Sequence, residues 1–301
     1  MLLVGNGRVI TRDAQIPFLE DGCVCIKENL ILEVGDTQEM KAKYPDAKFL
    51  DANGGVIMPG LINAHNHIYS AMARGLSIRG YSPKDFMDIL EGQWWKLDRL
   101  LDLEEISYSA WATYIDCVKN GVTTVFDHHA SFGAIRDSLF AISDVAKKLG
   151  IRTCLCYEVS DRDGVEKRKE AVLENEAFIL YAQKDETDMQ KGMMGMHAPF
   201  TLSDETIAFC AEHKPDTVGY HIHVAEGLDD VYDSLQKYGK RTINRLFDLG
   251  VLGPKTIAVH CVHINQQEME LLKHTDTMVV HNPESNMGNA VGCGPVLEFM
   301  R

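Results

Sequence analysis

At 301 residues the chain has room for one large domain or a large one with a small companion. Its 45% hydrophobic and 25% charged residues suit a globular protein with a sizeable core. The 44 acidic residues outweigh 30 basic ones, for a net charge of -14 that repels nucleic-acid phosphates and anionic lipid. The apolar start, Met1 to Val4, is too short for a signal peptide, and no later stretch nears the ~20 apolar residues of a membrane span. A cytoplasmic protein without nucleic-acid or membrane partners is therefore expected. Of its 8 cysteines, Cys23/Cys25 and Cys154/Cys156 stand at i, i+2 in strand-like runs and read as core thiols rather than bridges. No Cys-x-x-Cys occurs, which removes the simplest zinc-finger and redox motifs.

Residues 2–4, 8–11, 23–27 and 30–34 read as short strands, separated by the turns Gly5-Asn6-Gly7, Glu20-Asp21-Gly22 and Gly35-Asp36. Residues 38–43 predict one short helix. This β-layer, residues 1–56, is expected to be the N-terminal part of a small sandwich. From Val56 the pattern becomes apolar strand, polar loop, amphipathic helix, repeated. Strands are predicted at 56–63, 122–128, 151–159, 193–198, 218–224, 256–262 and 277–281, and helices at 106–120, 134–149, 166–182, 203–213, 231–249 and 266–273. Such alternation argues for a parallel α/β sheet covered on both faces. Seven strands are one short of an eight-stranded (β/α)8 TIM-type barrel, so residues 57–301 are expected to form a barrel incomplete at its C-terminus. An open doubly wound sheet is the alternative.

Histidines collect at the strand ends. His65 and His67 follow the first strand, His128 and His129 the second and His197 the fourth; His221 and His223 lie on the fifth, His260 on the sixth, and His281 closes the seventh. In parallel β/α folds, reacting groups gather where strands end in loops. One such histidine is unremarkable; a repeated placement is hard to explain as packing, because imidazole gains little in an apolar core. In His65-Asn66-His67 the two rings share a strand face, and neutral imidazole suits a borderline divalent ion such as zinc. His223 offers a third ligand. Glu226, three residues on, is either a carboxylate serving a metal-activated water or a surface residue at a helix N-terminus. His260 either orients the attacking hydroxide or polarises the electrophile, and His263 lies outside the strand. Trp94, Trp95, Tyr81 and Phe132 are candidates for a pocket wall, with core packing as the alternative.

Met58-Pro59-Gly60 leading to His65-x-His67, Met196-His197-Ala198-Pro199, His223-x-x-Glu226, His260 and His281-Asn282-Pro283-Glu284-Ser285-Asn286 together resemble the amidohydrolase superfamily over essentially the whole chain. Within it, the chain looks most like the aminohydrolase group of cytosine, guanine and S-adenosylhomocysteine deaminases and chlorohydrolases. Trp94-Trp95-x-Leu97-Asp98-Arg99 and Asp127-His128-His129-Ala130-Ser131 look closer still to the SsnA-type aminohydrolases associated with selenium metabolism.

The resemblance implies a barrel flanked by a sandwich, with metal ligands His65, His67 and His223. It implies Glu226 as proton shuttle, His260 on the hydrolytic water, and His197 and Asp98 on the substrate. The position where two-metal relatives carry a carboxylated lysine is His197, so one divalent ion is expected, zinc first and iron second. The family's fourth ligand, an aspartate ending strand eight, has no counterpart here; Asp127 follows strand two. The expected function is hydrolysis of non-peptide C–N bonds, the deamination of a small aminated heterocycle by a metal-bound hydroxide. The alternatives are an incomplete or non-catalytic homologue that only binds metal or ligand, and a binuclear cyclic-amide hydrolase. The expected partner is a small-molecule substrate, and a homodimer is the default assembly.

Overall fold

The computed structural model describes residues 1–300, which divide into two compact units, residues 1–61 and 62–300. In the first unit, β1 (Leu2–Ile10) alternates buried and exposed residues and pairs antiparallel with β2 (Phe18–Lys27), which pairs with β3 (Leu30–Asp36). The other side of β1 takes β4 (Lys48–Asp51) and β5 (Val56–Ile57) in parallel. Gly5-Asn6-Gly7 is not a turn between two strands. It is an irregularity inside β1, with Asn6 at φ 57° and a register shift between Val4 and Gly7. Asn tolerates the left-handed region, so the strand kinks and continues. A helix, Thr37–Lys43, is capped by the Asp36 carboxylate accepting from the amides of Gln38 and Glu39. Leu3, Cys23, Cys25 and Met40 form this unit's core, and both cysteines are free thiols.

The second unit is wound in sequence order. Its strands are β6 (Leu61–Asn66), β7 (Val122–His129), β8 (Arg152–Tyr157), β9 (Gln190–Gly192), β10 (Met194–Met196), β11 (Tyr220–Val224), β12 (Ile257–His260) and β13 (Met278–Val280). They line up as β6-β7-β8-β9 and β10-β11-β12-β13. The fourth predicted strand, 193–198, shortens to β10, and β9, which was not predicted, precedes it with Met193 between them: β9 pairs with β8 and β10 with β11, both in parallel. Pairing carries across the break, since Met193 N donates to Leu155 O (3.1 Å) and Met194 N to Gly219 O (3.1 Å). Gly195 permits the close approach; a Cβ there would stand 2.3 Å from Tyr157 O. Each strand neighbours the next in sequence with no reversal of order, which is barrel winding and rules out the doubly wound sheet.

Two boundaries moved for physical reasons. Residues 56–63 are not one strand: Val56–Ile57 joins the first unit's sheet, Pro59 and Gly60 interrupt, and β6 begins at Leu61. Residues 231–249 are not one helix: Leu228–Tyr238 ends at Gly239, φ 67°, and Thr242–Asp248 starts afresh. Leu103–Lys119 and Gln266–His274 each begin with a capping box, Asp102 with Glu105 and Asn265 with Glu268. Helix side chains such as Ile106, Tyr114, Leu139, Ile142 and Phe178 are fully buried in the main core.

A second apolar cluster, Cys154, Cys156, Met193, Ile257 and Val259 with Phe126 and Val280, sits on the strands themselves. Its members recur at i, i+2, so they mark one face of the sheet. Continuing that face toward the strand ends reaches His128 from Phe126 and Glu158 from Cys156. The same side thus changes from apolar side chains to imidazole and carboxylate as the strands finish.

Candidate active site and metal centre

Three imidazole nitrogens meet at one point. The Nε2 atoms of His65 and His67 are 3.1 Å apart, those of His67 and His223 3.1 Å, and those of His223 and His65 3.3 Å. Nδ1 of His67 donates to His128 O (2.7 Å) and Nδ1 of His223 to His197 O (2.8 Å). A carbonyl only accepts, so both rings carry their proton on Nδ1 and turn an Nε2 lone pair inward. Nδ1 of His65 lies 2.9 Å from Nε2 of His221, and with His221 accepting there the third ring takes the same arrangement. Burial, and then neighbouring imidazoles, hold His65 and His223 well below the ordinary histidine pKa; burial also lowers His67. All three are neutral near pH 7, the ligand form. Converging lone pairs repel unless a cation sits among them. Tetrahedral zinc with Zn–N of ~2.0–2.1 Å places its nitrogens about 3.3 Å apart, so this donor set fits a divalent ion.

Glu226 and His260 stand beside this triad. Oε2 of Glu226 is 3.3 Å from Nε2 of His260, and Oε1 accepts from Asn289 Nδ2 (3.1 Å). Burial pushes the Glu226 carboxyl up to about 7, with the Asn289 hydrogen bond opposing it. His260 is lowered to about 4, chiefly by burial, and its Nδ1 donates to Asn286 Oδ1 (2.8 Å). In regular β12 geometry Val259 faces the apolar cluster and His260 would face away. Positive φ at His260 (71°) and Cys261 (47°) turns the backbone so that its ring comes within 5.5 Å of the His223 ring, centroid to centroid. Such strain is held only where the surroundings fix it. Ala225 is also left-handed (φ 48°), and Asp230 secures it by accepting from Ala225 N (2.7 Å) and Phe200 N (2.9 Å).

The cavity over these groups has a volume of ≈ 320 Å³. His67, His197, His223, Glu226, His260 and Glu158 line it, and Phe86, Trp94, Trp95 and Phe200 form its aromatic side. Of the predicted wall aromatics, Trp94 and Trp95 reach the cavity. Phe132 is packed in the main core instead, and the Tyr81 ring covers Gly92. The structure brings His65, His67, His197, His223, Glu226 and His260 together. Asp98 lies elsewhere: it is 1% exposed, outside the cavity lining, in a buried ion pair with Arg162, whose guanidinium stacks 4.0 Å from the Phe132 ring centroid. Asp127 is a backbone anchor, its Oδ1 accepting from Ile68 N (2.6 Å). His263 bonds Val291 O (2.7 Å).

Three contributors escaped the sequence reading. His128 was noticed as a strand-end histidine but given no part. Its Nε2 donates to Met196 O (3.1 Å) and His221 O (3.0 Å), and its Nδ1 shares a hydrogen bond with Glu158 Oε1 (3.0 Å). His221 orients His65. Glu158 was not noticed at all, although Cys154, Cys156 and Glu158 at i, i+2, i+4 are a readable signal for one strand face delivering a carboxylate.

The sequence profile of the amidohydrolase family matches residues 56–300. The chain belongs to the amidohydrolase family. Among similar proteins are a 5'-deoxyadenosine deaminase of Methanosarcina mazei, 29% identical over 99% of this chain and 66% of that protein, and a 5-methylthioadenosine/S-adenosylhomocysteine deaminase of Thermoanaerobacter pseudethanolicus, 28% identical over 100% of this chain and 67% of that protein. This amidohydrolase chain therefore spans about two thirds of the length of the curated relatives it matches. Similar solved structures include a zinc-bound adenosine deaminase from Xanthomonas campestris, with 23% identity, TM-score 0.82, and cover of 100% of this chain and 66% of that one. Another is a triazine hydrolase from Arthobacter aurescens, with 23% identity, TM-score 0.86, and cover of 99% and 69%. These likenesses establish the amidohydrolase α/β barrel fold. No helix among the described residues is long and apolar enough to cross a membrane.

Proposed function

We propose that this amidohydrolase carries the hydrolytic centre of an aminohydrolase that deaminates a small aminated heterocycle. The observation carrying this reading is the triangle of Nε2 atoms, 3.1 to 3.3 Å on a side, with Glu226 and His260 beside it in one cavity. His65, His67 and His223 hold one divalent ion, zinc ahead of iron, in keeping with the zinc-bound adenosine deaminase of similar fold. When bound, such an ion polarises its ligands and lowers the pKa of water to ~7.

The chain's own groups do the rest. With a carboxyl poised near neutrality, Glu226 takes the proton released as water oxygen bonds to the amino-bearing carbon, and returns it to the nitrogen as the C–N bond breaks. Water and C–NH2 thereby become C=O and ammonia, with the second water proton leaving on the product. His260, its Nδ1 tied to Asn286, presents Nε2 as an acceptor that aligns the water. His197 contacts the ring, and Trp94 and Trp95 supply an apolar surface for a flat heterocycle. Deaminases among the similar proteins support this reaction class, which belongs to a small-molecule enzyme of the cytoplasm.

A second group, His67, His128, Glu158 and His223, also has ligand atoms within 4.8 Å of one another. It does not favour a binuclear centre. The Nδ1 atoms of His67 and His223 are spent on carbonyls, as is Nε2 of His128, so two ions would have to share single nitrogens. The test is elemental analysis with an ammonia-release screen of aminated purines, pyrimidines, pterins and triazines. About one equivalent of zinc or iron is expected, together with ammonia release. A His65→Ala/His67→Ala variant with unchanged metal content would sink the ligand assignment, and two equivalents per native chain would return the binuclear reading.

A further inference from the structure

The cavity wall holds a carboxylate that the proton-transfer scheme does not use. Glu158, 4% exposed, follows β8 and lines the cavity. Its Oε1 is occupied, 3.0 Å from His128 Nδ1 and 3.4 Å from His67 Nδ1. The His67 contact is with the nitrogen that faces away from the metal triangle, so Glu158 stands behind that ligand rather than in line with the ion. Among the described residues Oε2 makes no hydrogen bond; Nε2 of His197 lies 3.9 Å from it.

One tautomer of that histidine makes both available hydrogen bonds: with the Thr201 hydroxyl donating to Ala198 O (2.9 Å), Nδ1 of His197 donates to the Thr201 oxygen (2.9 Å). Nε2 of His197 is therefore a lone pair. Two acceptors, one anionic, stand 3.9 Å apart on the wall beneath Trp95, whose ring lies 6.1 Å from that of His197. Facing acceptors on a cavity wall without a protein donor between them are open to a ligand, and a carboxylate oxygen holds an N–H donor most strongly. A ligand edge with two adjacent N–H groups, or one protonated nitrogen, meets both.

We infer that Glu158 Oε2, with His197 Nε2, is the specificity subsite of this cavity, recognising substrates with an amidine-like or cationic N–H edge. The inference rests on the reading that the cavity takes an aminated heterocycle. It narrows that class to rings carrying donors on the edge turned toward β8, and disfavours rings with only acceptors there.

The test uses the full chain, its bound metal quantified, and follows quenching of tryptophan fluorescence by two flat probes of similar shape. Benzamidinium presents the N–H edge with a charge; benzamide is its neutral counterpart. Native protein should bind benzamidinium at least tenfold more tightly, the expected size for hydrogen bonds to a charged group. Glu158→Gln should remove that preference while keeping the native metal content, and Glu186→Gln, at an exposed position outside the cavity lining, should leave it within about twofold. Equal binding of the two probes by native protein overturns the inference without any variant. Loss of metal from Glu158→Gln in step with loss of binding also overturns it, since the carboxylate would then serve the ion. Benzamidinium binding that depends on Glu158, in a protein releasing no ammonia from any heterocycle, supports the subsite and removes only the proposed function.

Discussion

Replacing Glu226 by glutamine separates proton transfer from architecture. In Glu226→Gln the amide oxygen still accepts from Asn289 Nδ2, and the new NH2 donates to His260 Nε2, 3.3 Å from the present Oε2. Shape and both contacts survive, but the side chain no longer carries a proton. Acid–base catalysis by one positioned group is worth roughly 10²–10⁴-fold, or about 3–5 kcal/mol of barrier. The variant should lose that much kcat with its metal content unchanged. Stability should move the other way. In metal-free protein, burial holds the Glu226 carboxyl at about 7 against an ordinary 4.5. Between these values the folded chain binds more protons than the unfolded one, so native stability falls as pH rises through that window, by at most about 3 kcal/mol. Glutamine has no such proton, and the stability difference in favour of the variant should grow between pH 5 and pH 8. Urea unfolding of chelator-treated proteins at the two pH values, alongside steady-state ammonia release, reads both effects. A variant keeping more than a tenth of native kcat refutes the proton-carrier role; a stability difference independent of pH refutes the buried-carboxyl argument.

His221→Phe removes the acceptor 2.9 Å from His65 Nδ1 while keeping a ring of similar size. Loss of such an orienting partner typically weakens metal binding 10–100-fold. Competition against a chromophoric chelator should show this, and native affinity would count against the tautomer assigned to His65. Asp98→Asn should act on folding rather than on substrate, because it leaves the 7%-exposed Arg162 guanidinium without its nearest counter-charge. Breaking a buried pair costs ~3–5 kcal/mol, and Asp163, 3.6 Å from Arg162, holds the expectation to the lower end. A urea midpoint matching native protein, with raised KM, would return Asp98 to the substrate.

The alternation of apolar strands and amphipathic helices made the barrel winding legible, because both periods are set by burial alone. The breaks were harder to see. β9 is the stretch Gln190-Lys191-Gly192, which carries no apolar strand pattern, so the predicted run 193–198 took in only β10. His65, His67 and His223 were legible because histidine is costly at a strand end without a use. His260 was found by residue type, although its strand parity points away from the site; positive φ corrects this, and only backbone geometry reveals it. Glu158 was missed although it lies inside the predicted strand 151–159, because a carboxylate near a strand end draws no notice until the face it shares with Cys154 and Cys156 is traced. Asp98 came from motif resemblance, and the surrounding Arg162, Phe132 and Trp95 packing has no local signature.

The tautomers tie this chemistry to sheet register. His67 is locked by the carbonyl of His128 at the end of β7, and His223 by the carbonyl of His197 just beyond β10. Each metal-facing nitrogen is therefore chosen by backbone at the end of another strand rather than by a side chain that mutation can remove. A one-residue slip between strands would turn the facing side chains over and withdraw the carbonyls together. Metal affinity and strand pairing are in this way one property. The groups that remain free to vary are those held by side chains: His65 through His221, His260 through Asn286, and His197 through Thr201. In the proposed mechanism two of these three rings, His260 and His197, face water and substrate rather than the ion. Substitutions at Asn286 and Thr201 therefore offer a route to altered reactivity that leaves the His67 and His223 ligands in place.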